Sequence, residues 1–159
     1  MENIDIDNFL ATLNSQLFFK VVAENELNFK LKEESVIISN TQPLGLPGKH
    51  WVAFYYNEDQ EMEFFDSFAL NPQEYSKNFE SFLQINKLGR FYIRNKKILQ
   101  NENSNICGLY CMLFYYSKIK QHSYKKFLSQ FTENTLLNDS ICLQICENIF
   151  HYKFHLQNK

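Results

Sequence analysis

Residues 107–116, Cys107-Gly108-Leu109-Tyr110-Cys111-Met112-Leu113-Phe114-Tyr115-Tyr116, carry no charged side chain and directly follow a polar run from Gln100 to Ile106. At helical spacing they are apolar almost all round, and such a helix is stable only when other elements cover every side of it. The chain must therefore wrap layers around this segment. A chain of 159 residues matches the ~100–200 residues of about one domain, so residues 1–159 are expected to form one domain with this helix at its centre. No run reaches the ~18 apolar residues of a membrane span, so no membrane is expected as a partner. Cover is supplied by 16 Phe, 9 Tyr and 1 Trp against 4 Gly and 3 Pro, each buried ring removing ~150–250 Å² from water.

Residues 5–13 place Ile6, Phe9, Leu10 and Leu13 at helical spacing. Runs at 18–23 and 36–39 are aromatic and β-branched and predict short strands. Pro43, Gly45, Pro47 and Gly48 then mark a loop that delivers His50. The apolar runs 51–56 and 62–65, separated by polar residues, predict an antiparallel hairpin. If the turn centres near Glu58, opposing numbers sum to about 116, which places His50 opposite Asp66. Asn71-Pro72-Gln73-Glu74 has the form of a helix start, continued by Tyr75, Phe79, Phe82 and Leu83 and closed by Gly89 as a left-handed cap. A third sheet strand is expected over 90–94, and further helices over 124–131 and 140–154.

Charge narrows the choice of partner. With 16 Lys+Arg against 18 Asp+Glu the formal net charge is −2, so no overall basic field recommends nucleic acid. The N-terminal residues are acidic where a signal peptide is basic, and an intracellular setting leaves Cys107, Cys111, Cys142 and Cys146 as expected free thiols.

Cys107 stands where a polar loop becomes a helix, and the positive end of the helix dipole there favours the thiolate. A cysteine hydrolase also needs a base in reach and a carboxylate to orient it; the hairpin sets His50 beside Asp66. It needs donors for an oxyanion, for which the Gln100 side-chain amide and a backbone N–H at Cys107 are placed. Each part has a plainer reading on its own: a core thiol, a capping histidine, an Asp-Ser turn, a solvated glutamine. Together they fit one mechanism.

These residues resemble a known family. His50-Trp51 opening a strand, Phe65-Asp66-Ser67-Phe68 closing the next, Gln100, and Asn103-Ser104-Asn105-Ile106-Cys107-Gly108-Leu109-Tyr110-Cys111 look like adenain, the adenovirus maturation protease family. The order His, Asp, Gln, Cys is shared with the ubiquitin-like-protein-specific proteases and differs from that of papain, where the cysteine comes first. The resemblance covers residues 18–116, including Val21-Val22-Ala23-Glu24-Asn25-Glu26-Leu27. Pro47-Gly48-Lys49-His50-Trp51-Val52-Ala53-Phe54-Tyr55 looks closest to the compact enzymes of virophages and Polinton/Maverick elements.

The resemblance implies an α+β fold, a mixed central sheet flanked by helices with the nucleophile at the N-terminus of the buried central helix. It implies that Cys107 attacks a peptide carbonyl, His50 moves the proton, Asp66 holds His50, and Gln100 with the Cys107 N–H receives the oxyanion. Trp51 would shield the His50–Asp66 pair, and Gly108 would allow substrate to approach. Cleavage would follow glycine in a capsid or core precursor, through a slot near Trp51 and Cys107. The enzyme would act as a monomer without a required cofactor, inside the host cell at a virus factory or in the nucleus, and be packaged in the virion. A disulfide-linked peptide activator is not expected, because the segment 88–98 has no cysteine. DNA activation would need a basic patch from Arg90, Arg94, Lys96, Lys97, Lys118, Lys120, Lys125 and Lys126, for which solvated surface charge is the plainer reading.

Cys142, Cys146, His151 and His155 have zinc-ligand chemistry. On one continuous helix at ~100° per residue the two cysteines and the two histidines fall on opposite faces, so the thiols are read as core and no metal is expected. Cys111 is read as buried and His122 as lying away from the base position. A deconjugating isopeptidase and an inactive binding module on the same fold are the rival readings.

Overall fold

Five strands form a sheet across one side of the central helix. The computed structural model describes residues 3–87 and 91–155, with backbone alone at Asn3 and Ile4. Strands β1 (Phe18–Ala23), β2 (Ser35–Asn40), β3 (Trp51–Tyr56), β4 (Met62–Phe65) and β5 (Ile93–Arg94) lie side by side in chain order. β1 and β2 are parallel, β2–β3 and β3–β4 antiparallel, and β4–β5 parallel. The sheet is thus mixed and the fold α+β, as expected.

Alternation along β3 and β4 sets the layers. Trp51, Ala53 and Phe65 face one core, while Val52, Phe54, Tyr56, Met62 and Phe64 face the other. Helix α2 (Lys77–Asn86) closes the second core with Phe79, Phe82 and Leu83. The first core holds α3 (Cys107–Ile119), in which every residue from Cys107 to Tyr115 is buried. Around α3 lie α1 (Asn3–Ala11) with Ile6 and Leu10, α4 (Tyr124–Leu128) with Phe127, and α5 (Thr135–Phe150) with Cys142 and Cys146. Phe65 stacks on Phe114 at 5.1 Å and 8°, and Phe127 meets both edge-on at 5.2 and 5.4 Å. Helix α3 is apolar all round because it has neighbours all round. Among the described residues no helix is long and apolar enough to cross a membrane.

The hairpin register differs from the expected one. Asn57 closes the loop twice, its N–H donating to Glu61 O (3.0 Å) and its Oδ1 accepting from Glu61 N–H (2.8 Å), with Gln60 at φ 62°. The turn therefore centres on Asp59, and paired numbers from Ala53↔Phe65 to Tyr56↔Met62 sum to 118. His50 is level with Phe68, and Asp66 lies diagonal to it rather than opposite.

Other departures have local causes. Pro72–Glu74 forms a separate 3₁₀ turn held by Asn71 N–H on Glu74 Oε2 (2.6 Å), and α2 starts only at Lys77, where Ser76 Oγ caps Asn78 N–H (3.0 Å). The expected Gly89 cap lies outside the described residues. Of the strand expected over 90–94, the described residues pair only at Ile93–Arg94, and Arg90 lies outside them. Helix α4 stops at Leu128, and α5 starts at Thr135 because Asn134 Oδ1 caps Leu137 N–H (3.0 Å).

Lys118, assigned to the solvated surface from sequence, is buried on α3. Its ammonium pairs with Glu63 of β4 at 2.5 Å and lies 4.7, 5.0 and 5.4 Å from the ring centres of Tyr55, Phe114 and Tyr124. Two desolvated charges stabilise each other only while both are present. Lys118→Met should therefore cost roughly 3–5 kcal/mol in urea unfolding, and adding Glu63→Leu should recover most of that loss. Equal midpoints for wild type and Lys118→Met would show that the pair is not buried in solution.

Candidate active site

Strand β4 ends in a turn built on Asp66. Ala69 N–H donates to Asp66 O at 2.9 Å, and Ala69 adopts φ 58° to close it. The Asp66 side chain is fully buried, which a carboxylate tolerates only with its acceptor sites filled. Oδ1 accepts from Phe68 N–H (3.1 Å), and Oδ2 from Leu70 N–H (2.9 Å) and the Tyr75 hydroxyl (2.7 Å). The remaining contact of Oδ1 is His50 Nε2, at 2.6 Å. Asn95 holds the Asp66 backbone from behind, accepting its N–H at 3.1 Å and donating to its carbonyl at 2.6 Å.

His50 immediately precedes β3, anchored by Thr41 N–H on its carbonyl at 2.9 Å. From the diagonal position its ring still reaches Asp66. Phe68 and Tyr75 stack on the imidazole, with ring centres at 4.9 and 5.4 Å and planes within 28° and 29°. With Nε2 on Asp66, the hydrogen bond between the ring and Cys107 falls to Nδ1. Burial opposes charge on this ring, yet the hydrogen bonds to Asp66 and Cys107 and their charges outweigh it and push the His50 pKa from 6.5 up to about 9.

Cys107 is the first residue of α3, and the cap position before it is Ile106, which has no side-chain acceptor for the first-turn N–H groups. The Leu109 N–H turns to Ile106 O (2.9 Å), and the Gly108 N–H goes to the sulfur. Burial raises the thiol pKa, but the His50 hydrogen bond and charge, with backbone N–H groups from Trp51 and Gly108, bring it below the ordinary value. One turn along, Cys111 has no such partners, and burial with the neighbouring Cys107 and Asp66 charges pushes it well above that value. All four cysteines are free and buried; this contrast singles out Cys107.

Gln100 is tied to the same turn. Its backbone N–H and that of Leu99 donate to Ser67 O at 3.1 and 2.9 Å, and Ser67 Oγ donates to Gln100 Oε1 at 2.6 Å. The amide orientation is thereby set, with Nε2 donating one hydrogen to Ser104 O at 3.0 Å in the loop that leads to Cys107 and keeping a second. His50, Asp66 and Cys107 thus meet, Trp51 and Gly108 join them through backbone N–H groups, and Gln100 is linked to Asp66 through Ser67.

Phe68, Tyr75 and Asn95 belong to the site and were not anticipated. Tyr75 looked like one more apolar helix residue; the 3₁₀ turn before α2 leaves it over the carboxylate instead. The rings stacked on His50 are those of Phe68 and Tyr75, and Trp51 is buried in the same core cluster as Cys107. Cys142 and Cys146 face α3, Cys146 Sγ lying 3.5 Å from Leu109 O, and α5 ends at Phe150 with His151 in the left-handed region, so the four zinc-type residues do not share one helix. His122 follows the far end of α3. Of the basic residues considered for DNA, Arg94 is held by the carbonyls of Ala69 and Asn95, Lys97 by Glu133 and Phe131 O, and Lys118 is buried; Arg90 lies outside the described residues.

The model of the adenovirus endoprotease family matches residues 27–148, a span that holds all four polar site residues. No curated protein matches the sequence. Among solved structures, the ASFV protease shares the fold at 16% identity and a TM-score of 0.58, covering 98% of this chain and 68% of its own. Two structures of ChlaDub1, an effector protein of Chlamydia trachomatis, are similar at 15% identity with TM-scores of 0.48 and 0.47, each over 74% of this chain. The chain spans 61% and 56% of those two chains.

The opposed pKa shifts predict how the sulfur reacts. Alkylation of Cys107 by iodoacetamide, followed by mass spectrometry, should titrate with a midpoint below 9. In His50→Ala burial loses its main opponent, so the midpoint should move above 9 and the rate at pH 7 should fall about tenfold or more, because only the thiolate reacts. Identical midpoints in the two proteins would refute the ion pair.

Proposed function

The chain belongs to the adenovirus endoprotease family, and from that premise we propose that it is a cysteine endopeptidase whose nucleophile is Cys107. The observation that carries this reading is the hydrogen bond joining Cys107 and His50, with the thiol lowered and the imidazole raised. Such shifts favour the thiolate beside the imidazolium, a nucleophile and a general acid in contact.

In the proposed reaction Cys107 Sγ attacks the peptide carbonyl carbon, and the negative charge moves to oxygen, where the Cys107 N–H and the second hydrogen of Gln100 Nε2 receive it. His50 gives its proton to the departing amine as the C–N bond breaks, leaving a thioester. A water molecule then gives a proton to His50 and its oxygen to the acyl carbon, and the sulfur leaves as thiolate. Asp66 keeps the imidazole oriented and stabilises its charged form throughout. None of these steps draws on a group from outside the chain other than the substrate and water, and the reading includes no required cofactor, peptide or DNA.

The finer reading is a maturation protease that cuts capsid or core precursors after glycine, acting as a monomer in the infected cell and packaged in the virion. It rests on the motifs around His50, Asp66 and Cys107. The deconjugating isopeptidase is the competing outcome of the same test.

Purified wild type, without added peptide or DNA, should cleave a glycine-containing precursor and be labelled by a thiol-directed activity probe, while Cys107→Ala does neither; equal labelling of both would remove the assignment. Cleavage of ubiquitin-like fusions alone would favour the isopeptidase. Gln100→Ala should lower kcat about 10²–10³-fold with the Cys107 alkylation rate unchanged. The kcat/KM profile should fall as pH rises through about 9, where the His50 imidazolium is lost, and no fall between pH 8 and 10 would count against His50 as the general acid.

A further inference from the structure

Two consecutive polar residues near the start of α5, Asn138 and Asp139, are buried, and no step of the proposed reaction uses them. Asn138 Oδ1 accepts from Thr132 N–H at 2.7 Å, while its Nδ2 donates to Thr132 O at 2.9 Å and to Leu99 O at 3.2 Å. Asp139 Oδ1 accepts from Asn101 N–H at 3.3 Å and from the Tyr110 hydroxyl at 2.8 Å, and that hydroxyl also lies 3.3 Å from Leu99 O. The two side chains therefore grip the residues on either side of Gln100.

A peptide unit is planar, so groups that hold its N–H or C=O orient the whole unit. The unit before Gln100 is held at both, its C=O by Asn138 and Tyr110 and its N–H by Ser67 O at 3.1 Å. The unit after Gln100 is held at its N–H by Asp139. With both planes fixed, the direction in which the Gln100 side chain leaves the backbone is fixed too, and Ser67 and Ser104 orient the amide at its end. Tyr110 lies on α3 three residues after Cys107. The carboxylate that holds Asn101 thus also holds the helix that carries the second oxyanion donor, the Cys107 N–H. Such donors act only within about 2.7–3.1 Å of the charge they receive.

The geometry points to Asp139 as a positioning residue: by joining Asn101 to Tyr110 it sets the spacing between Gln100 and the Cys107 N–H, and it acts on turnover only through those two donors. The inference rests on the protease reading above. Asn138 assists by holding Leu99 O. The groups that lower the Cys107 thiol come from His50, Trp51 and Gly108, none of them on α5, so activation of the sulfur and placement of the oxyanion donors are separable.

The test compares wild type, Asp139→Ala, Asp139→Asn, Gln100→Ala and Gln100→Ala/Asp139→Ala on a glycine-containing precursor peptide. Asp139→Ala should lower kcat about tenfold or more, with KM and the Cys107 alkylation midpoint unchanged. In the Gln100→Ala background the same substitution should cost about threefold or less, because the donor it positions is already gone. Asp139→Asn keeps an oxygen that accepts both hydrogens and should restore most of kcat. Nitrogen–proton NMR of the Gln100 side-chain amide, assigned by its loss in Gln100→Ala, should show the signal of Asp139→Ala moved toward that of a solvated glutamine. Should Asp139→Ala fold poorly, Tyr110→Phe, which removes only the shared hydroxyl, should give the same loss of kcat and the same movement of the signal. Full kcat in a folded variant, an undiminished loss in the Gln100→Ala background, an unmoved amide signal, or an alkylation rate that falls in step with kcat overturns the positioning role. Movement of the signal in a protein whose wild type cleaves no peptide would instead uphold the positioning and overturn the protease reading.

Discussion

The site depends on one buried carboxylate. Asp66 is removed from water, and the donors that make this tolerable are the parts the site needs in place: the His50 ring, the Tyr75 hydroxyl, and two N–H groups of its own turn. Filling the acceptors of the carboxylate and fixing the His50 ring are the same event. Through Ser67 the turn also fixes the Gln100 amide, and through Asn95 it is bound to Tyr124, whose hydroxyl caps Phe64 O at 2.7 Å. A short segment after β4 thus links the hairpin, the loop before α3 and the first turn of α4.

Environment, more than residue type, separates the thiols of this core. Cys107 and Cys111 share one helix and are both buried, yet one is lowered and the other raised well above the ordinary value. Burial acts against charge in both. The difference is supplied by an imidazole and two amide hydrogens from outside the first thiol's own side chain, one of them carried by β3. An apolar cap at Ile106, unfavourable for an isolated helix, offers no side-chain acceptor to compete with the sulfur for the Gly108 N–H.

Much of this was legible in the sequence because it follows from period and punctuation. β1, β3 and β4 follow from apolar runs between turn residues, and α3 from a segment with no polar face. The pairing of His50 with Asp66 was reached through a register two residues off: the loop closes symmetrically between Asn57 and Glu61, and the ring spans the diagonal. Tyr75 was misjudged because a 3₁₀ turn and an α-helix share the same opening signal. Lys118 was misjudged because its partner Glu63 and the Tyr55 ring come from distant strands, so its burial is a tertiary fact that charge patterning does not carry. The contact of Phe9 with Tyr152 and Phe154 was likewise hidden, since it depends on the reversal at His151.

The Trp51 N–H that donates to Cys107 has a consequence for the order in which the protein becomes reactive. The donor belongs to the sheet and the sulfur to a helix some fifty residues later. During synthesis His50, Trp51 and Asp66 leave the ribosome first, and the sulfur that follows them is an ordinary thiol until α3 docks. A partly unfolded copy, in which α3 has not docked on β3, therefore carries every group of the site but not the Trp51 N–H that lowers the thiol.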